Sequence, residues 1–296
     1  MSWAGAFEEL GKTVASRAEL RAMGATGRML TAAVRYNHLV RVRRDHYALP
    51  TTERSVQEAV RVGGRLGCLS ALAHAGIFVG DARFTHAHVE PGSSRCRNPN
   101  NRFLPLNATE RDGVELHWTP LVRPEEATEY SVGIVDALAQ AVRCQHPWLA
   151  IASIDNALFT GAIRDQDIAD LFASLPTQYQ ELRALVDGRA EAGQESVLRM
   201  IVRQAGLDCE LQVHIAGVGR VDIVVEKCLV LEADSRLAHD GWELHVRDRN
   251  RDLDLARRGY ASLRPVYQRI MYTPAQVREA IVTLLATNRN YRGPGS

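Results

Sequence analysis

The residues of this chain best suited to chemistry are carboxylates between positions 222 and 234. Asp222 stands in the run V-D-I-V-V at 221–225, and Glu232 near the end of C-L-V-L-E-A at 228–233, with Glu226-Lys227 between them. Two β-branched or apolar runs around a two-residue break read as a tight antiparallel hairpin. Symmetry about Lys227 sets Asp222 opposite Glu232, and the two-residue period of a strand puts Asp234 on the same face as Glu232. Like charges opposed across a ladder destabilise it, so carboxylates placed this way imply a cation between them. Mg2+ takes one or two carboxylates together with water and phosphate oxygens. Asp222, Glu232 and Asp234 are therefore the candidate metal ligands, with Mg2+ (or Mn2+) as the expected cofactor.

Several elements must hold that hairpin. A helix over 195–203 is expected, with Val197, Met200 and Ile201 inward and Gly206 ending it. Strands follow at 211–215, 221–225 and 228–233. A charged helix at 243–258 offers Leu244, Leu253, Leu255 and Ala256 to the core, and Gly259 stands where a helix cap belongs. A strand at 260–266 and a closing helix at 274–285 complete a small mixed sheet flanked by helices.

Read in order, Glu195-Ser196-x-x-Arg199, Gln212, Val221-Asp222, Glu232-x-Asp234, His239, Arg247-Asp248-Arg249-x-Arg251-Asp252 and Arg264 resemble the PD-(D/E)xK nuclease superfamily. The branch they are most similar to is that of very-short-patch-repair endonucleases, over roughly residues 191–285. Asp234 stands where the superfamily has Lys, and Ser235 where the branch often has Gly. The resemblance implies a restriction-endonuclease-like domain and metal-dependent phosphodiester hydrolysis, which needs a metal, an activated water and positioned cations. In that frame Glu195 completes the metal shell, Gln212 orients water and His239 serves as general acid or base. Arg247, Arg251 and Arg258 form a helical stripe suited to phosphates, with Arg249 and Arg264 nearby. The competing reading is a solvated helix face laced with charge pairs.

The first fifty residues carry a different pattern. Phe7, Leu10 and Val14 share a helix face, and Ser16-Arg-Ala-Glu19 is a capping box that starts a second short helix. After the turn at Gly24, a third helix is expected from residue 27 to about 37, with Leu30, Ala33 and Val34 inward. Residues 39–44 and 46–49 then read as a β-ribbon. Helix, turn, helix and ribbon is the order of a winged helix-turn-helix, and the stretch resembles the N-terminal domain of the abortive-infection antitoxin family of bacterial regulators. DNA contact is expected from Arg28, Thr31, Arg35 and Tyr36 on the third helix, and from Arg41, Arg43, Arg44 and His46 in the wing.

Between these ends, residues 55–176 read as a mixed α/β linking region. Strands are expected at 84–89, 103–106 and 114–118, and helices beyond 124. His86, His88 and His117 alternate on strands, but no carboxylate accompanies them and no metal site is expected there. The five cysteines are scattered, odd in number and without a CxxC pair, which argues against a disulfide framework or zinc site and fits a reducing cytoplasm. The N-terminus lacks the charged and apolar blocks of a signal peptide, and no apolar run approaches a membrane span.

A length of 296 residues and 46% hydrophobic content suit a globular chain with a real core. The 36 basic and 35 acidic residues leave net charge silent about partners. The bases are nearly all Arg, with Lys12 and Lys227 the exceptions; Arg is the better phosphate fork, though a GC-rich genome produces the same bias. The expected class is α/β (α+β overall): winged helix-turn-helix at 1–54, linking region at 55–176, nuclease-like domain at 177–290 and a disordered tail at 291–296. DNA is the expected partner, and a homodimer is compatible with this reading. Two functions follow: a metal-dependent endonuclease of repair, defence or mobile-element biology, or a non-catalytic DNA-binding regulator whose nuclease-like domain is a relic.

Overall fold

The computed structural model describes residues 2–107, 109, 111–233 and 242–290, leaving aside the side chains of 242–245, 248 and 288–290. The fold is mixed α/β with several small sheets. It divides into two compact units, residues 1–145 with 163–183 and residues 146–162 with 184–296.

The first unit begins with α1 (Trp3–Leu10), β1 (Val14–Ser16), α2 (Arg17–Ala22), α3 (Gly27–Arg35), β2 (Val40–Arg43) and β3 (His46–Ala48). The Ser16–Glu19 capping box forms at both hydrogen bonds and starts α2, satisfying amides that the first helical turn leaves without partners. Gly24, at φ 91, breaks the chain before α3, and Thr26 caps α3 through the Met29 amide. The strands order as β1-β3-β2, all antiparallel. Phe7, Leu20, Leu30, Leu39 and Tyr47 close over one another as a local core.

The unit continues with α4 (Arg54–Val62), β4 (Arg65–Leu66), α5 (Cys68–His74), β5 (Thr85–His88), β6 (Val114–His117) and α6 (Ile134–Cys144). Its second sheet runs β4-β5-β6, with β5 and β6 parallel. The strand expected at 103–106 does not form. A single bridge joins Arg97 to Pro105, Pro105 has no amide to extend a ladder, and Phe103 lies exposed.

Helix α7 (Pro147–Phe159) belongs to the second unit, not to a linking region, while α8 (Asp165–Ala173) returns to the first. The second unit then runs α9 (Gly193–Gln204), β7 (Cys209–Ile215), β8 (Gly219–Val225), β9 (Leu229–Leu231), α10 (Trp242–Arg257), β10 (Ala261–Leu263), α11 (Tyr267–Tyr272) and α12 (Pro274–Asn290). The sheet is mixed, ordered β10-β9-β8-β7, with β10 parallel to β9 and the other pairs antiparallel. Glu226 and Lys227 both take positive φ, 48° and 59°, in a three-residue loop at 226–228 in which the Cys228 amide donates to the Val225 carbonyl at 3.1 Å. The loop fixes Val225 opposite Leu229 and Ile223 opposite Leu231. This is the register centred on Lys227 that the sequence implies. Val221, Ile223, Val225, Leu229, Val230 and Leu231 are all buried, as in a sheet covered on both faces. On α10, Leu255 packs onto Ile215, Val224 and Val230, whereas Leu253 is exposed at 60% and Ala256 is also exposed, against expectation. The tail at 291–296 lies outside the described residues, and no described helix is long and apolar enough to cross a membrane.

Candidate functional site

The candidate site of the second unit starts from a buried anchor. Asp155 on α7 and Arg199 on α9 are both fully buried and paired at 2.6 Å, and Ser196 Oγ donates to the same carboxylate at 2.7 Å. The other Asp155 oxygen accepts from the Asp187 amide at 2.7 Å. Burial pushes the Asp155 carboxyl up to about 6 despite these partners. Asp155 is the polar residue that interrupts an apolar run in the sequence, and this pairing is its reason. It fixes α9 against α7 by the residues that follow Glu195.

With α9 held, its first turn reaches the sheet. Gln194 Nε2 donates to the Ala233 carbonyl at 3.2 Å, and the Ala233 amide donates to Asp222 at 3.1 Å. Glu195 reaches back to the amides of Glu191 and Ala192 at 3.0 and 3.3 Å and accepts from Gln212 Nε2 at 3.0 Å. Gln212 sits opposite Asp222, flanked by the pairs Leu211–Ile223 and Val213–Val221. Its φ of 52° turns it out of ordinary strand geometry at that point, a device that re-aims a side chain next to a site. Glu195, Gln212, Asp222 and Glu232 are thus gathered by α9, β7, β8 and the end of β9.

The electrostatics are those of crowded acids. Burial first, and then the charge of Asp222, pushes Glu195 up to about 7. Burial likewise raises the carboxyls of Asp222 and Glu232. Glu232 is answered by two cations: Arg251 lies 2.6 Å from one oxygen and Arg264 2.8 Å from the other. Arg264 is also 3.0 Å from Asp252. Two arginines expected to grip phosphate therefore hold an expected metal ligand instead. Arg258, at the surface, donates to the Ala216 and Asp254 carbonyls at 2.7 and 2.9 Å, so it braces the β7–β8 turn. Arg247 and Arg249 are exposed. Asp234 and His239 lie outside the described residues.

The donor set suits a hard cation. Glu195, Asp222 and Glu232 offer carboxylate oxygens, and Gln212 Oε1 is buried without a hydrogen-bond partner among the described residues. Oxygen-only sets favour Mg2+ or Mn2+ over softer metals, and an orphaned buried carbonyl oxygen is costly until something meets it.

In the first unit, Arg28, Arg35 and Tyr36 stand exposed at or beside α3, and Arg44 and His46 are exposed in the ribbon. Arg43 is half-buried against the Arg61 and Arg95 carbonyls, and burial lowers its pKa. Arg41 is half-buried too. Both therefore stand back from the surface expected of them. The same unit contains a grouping that sequence spacing gave reason to dismiss: Cys68, His86, His117 and Cys144 come together. Each ligand atom arrives on a separate element, so no local spacing could reveal it.

No protein-family model matches this chain, and a search of curated proteins finds no match.

Proposed function

We propose that this chain is a metal-dependent DNA endonuclease that hydrolyses phosphodiester bonds, with its N-terminal segment as a winged-helix DNA-binding arm, acting in repair or defence. The observation that carries the reading is the gathering of Glu195, Gln212 and Asp222 from three elements: Gln212 donates to Glu195, Asp222 raises the Glu195 carboxyl, and Gln212 Oε1 is buried without a hydrogen-bond partner among the described residues. Asp222, Glu195 and, once released from its arginines, Glu232 would hold Mg2+ or Mn2+. A divalent cation bound there would polarise a phosphoryl oxygen and make a bound water more acidic. Gln212 Oε1 orients a water by accepting its hydrogen. Glu195, pushed up to about 7 by burial and by Asp222, would give up its proton on taking the cation. Arg251 and Arg264, released from Glu232, neutralise backbone phosphate. Asp234 and His239 keep the roles that the resemblance implies, as ligand and as general acid or base.

The winged-helix reading draws support from the order α1-β1-α2-α3-β2-β3, the β1-β3-β2 sheet and the break at Gly24. On it, α3 offers Arg28 and Arg35 to DNA and the ribbon offers Arg44. One observation favours the alternative of a non-catalytic, antitoxin-like regulator with a degenerate nuclease domain: both oxygens of Glu232 are already occupied by arginines. Cleavage of varied DNA substrates with Mg2+ or Mn2+ separates the two. Turnover supports the nuclease, whereas metal-independent duplex binding without turnover supports the regulator.

A further inference from the structure

Cys68, His86, His117 and Cys144 form a second constellation, and it shares no residue with the carboxylate site. Cys68 opens α5, His86 lies on β5, His117 ends β6 and Cys144 ends α6. Their sulfur and ring-nitrogen ligand atoms all lie within 4.8 Å of one another. His86 Nδ1 is 3.1 Å from His117 Nε2 and 3.8 Å from Cys144 Sγ. A tetrahedral site with metal–sulfur bonds of about 2.3 Å and metal–nitrogen bonds of about 2.0–2.1 Å places neighbouring ligand atoms roughly 3.3–3.8 Å apart. Both separations fall close to those edge lengths. A hydrogen bond between the imidazoles accounts for one edge, but it gives no reason for two thiols to meet there as well.

The backbone around Cys68 is strained to place its thiol. Cys68 has φ 47°, a conformation that side-chain-bearing residues avoid. It is held there by Gln140 of α6, whose Oε1 accepts from the Cys68 amide at 2.8 Å in a buried hydrogen bond. Gly67 before it leaves room for this approach: a Cβ would meet Gln140 Oε1 at 2.7 Å and the His88 amide nitrogen at 3.0 Å. The His86 amide donates to Ser70 Oγ of α5 at 2.8 Å, and the two imidazoles stack at 5.4 Å. Strain of this kind is retained where a ligand must be clamped. Cys68 and His86 are buried, His117 is half-buried and Cys144 is exposed, so the constellation is closed within and open at one side for a metal to enter.

We propose that these four side chains bind a zinc ion in a tetrahedral Cys2His2 site that ties α5, β5, β6 and α6 together. Sulfur and imidazole ligands in this geometry select zinc over the hard cation suited to the carboxylates. Both cysteines bind as thiolates and release their protons to solvent, while the histidines bind as neutral imidazoles.

The test uses the full chain, purified without chelator under reducing conditions. Elemental analysis is expected to find about one zinc per chain, as a closed four-ligand site requires. After stripping, titration with Co2+ is expected to give the intense d–d bands of a tetrahedral site and a thiolate-to-cobalt charge-transfer band. Cys144→Ser, a change at an exposed position, should weaken that band and cut zinc affinity by more than about tenfold; His117→Gln should do the same to affinity. Cys209→Ser, a cysteine outside the cluster, should leave both readouts unchanged. The stripped wild-type titration stands even if a variant fails to fold. Absence of zinc and of tetrahedral cobalt bands in the wild type overturns the proposal. So does a Cys68–Cys144 disulfide as the resting state of the reduced preparation, or full zinc affinity in Cys144→Ser.

Discussion

Glu195→Gln is expected to change the sign of its effect on stability with pH. Glu195 is only 6% exposed, and burial together with Asp222 raises its carboxyl from 4.5 to about 7. The folded chain therefore holds this proton more tightly than the unfolded chain does. The resulting stabilisation is full below the unfolded value near 4.5 and is lost as pH rises to about 7. At about 1.4 kcal/mol per pH unit, one carboxyl so shifted makes the metal-free protein lose roughly 2–3 kcal/mol between about pH 5 and pH 8. Gln keeps the shape and can accept one of the two amide hydrogen bonds made by Glu195. Losing the other costs about 1 kcal/mol at every pH. The variant should therefore be less stable than the parent near pH 4, match it near pH 5, and exceed it by about 2 kcal/mol near pH 8. Urea unfolding of both chains with chelator present measures the difference. Asp155, raised to about 6, titrates in both chains and cancels. A stability difference that does not vary with pH would refute the assignment of Glu195 as the strained acid of the site.

Other outcomes follow from the same structure. Asp155→Ala leaves Arg199 buried without its counter-charge, with Nε and Nη1 already lacking partners among the described residues; it should cost about 3–5 kcal/mol in denaturant unfolding, and a loss under about 1 kcal/mol would sink the anchor. Arg28→Ala, Arg35→Ala and Arg44→Ala combined should weaken duplex binding across all sequences and reduce the salt slope by about one for each phosphate left without its arginine; an unchanged slope removes α3 and the ribbon from the DNA interface. Arg264→Ala leaves Glu232 to Arg251 alone and should tighten Mn2+ binding measured calorimetrically, whereas weaker binding would place Glu232 outside the metal shell.

Much of the hairpin was legible because its determinants are local. Two apolar runs and the Glu226-Lys227 break fix a register, and register alone carries Asp222 toward Glu232. The capping box at Ser16 and the glycine at 24 are equally local, and they set where α2 begins and where the chain breaks before α3. Side-chain partnerships across elements were not legible. That Arg251 and Arg264 would turn onto Glu232, or that Arg258 would brace a turn, depends on how α10 and β10 pack on the sheet. Arg43 reads as a wing cation in sequence but lies against the Arg61 and Arg95 carbonyls. The Cys/His constellation is the extreme case, since four separate elements each supply one ligand. Pro105 misled in the other direction, because an apolar stretch looked like a strand while its missing amide prevented one.

The nuclease reading stands or falls with Asp222 as part of a metal-dependent hydrolytic site, and cleavage of duplex and single-stranded DNA by the full chain decides it. The wild type and Asp222→Asn are compared with Mg2+, with Mn2+ and with chelator. Asn keeps the shape and can still accept the Ala233 amide hydrogen bond that Asp222 takes at 3.1 Å, so the fold should survive while the ligand charge is lost. The expected result is cleavage by the wild type that requires the metal, and background cleavage by Asp222→Asn with an unchanged circular dichroism spectrum. Cleavage at the wild-type rate by Asp222→Asn, or no cleavage by the wild type with either metal on any substrate, would overturn it.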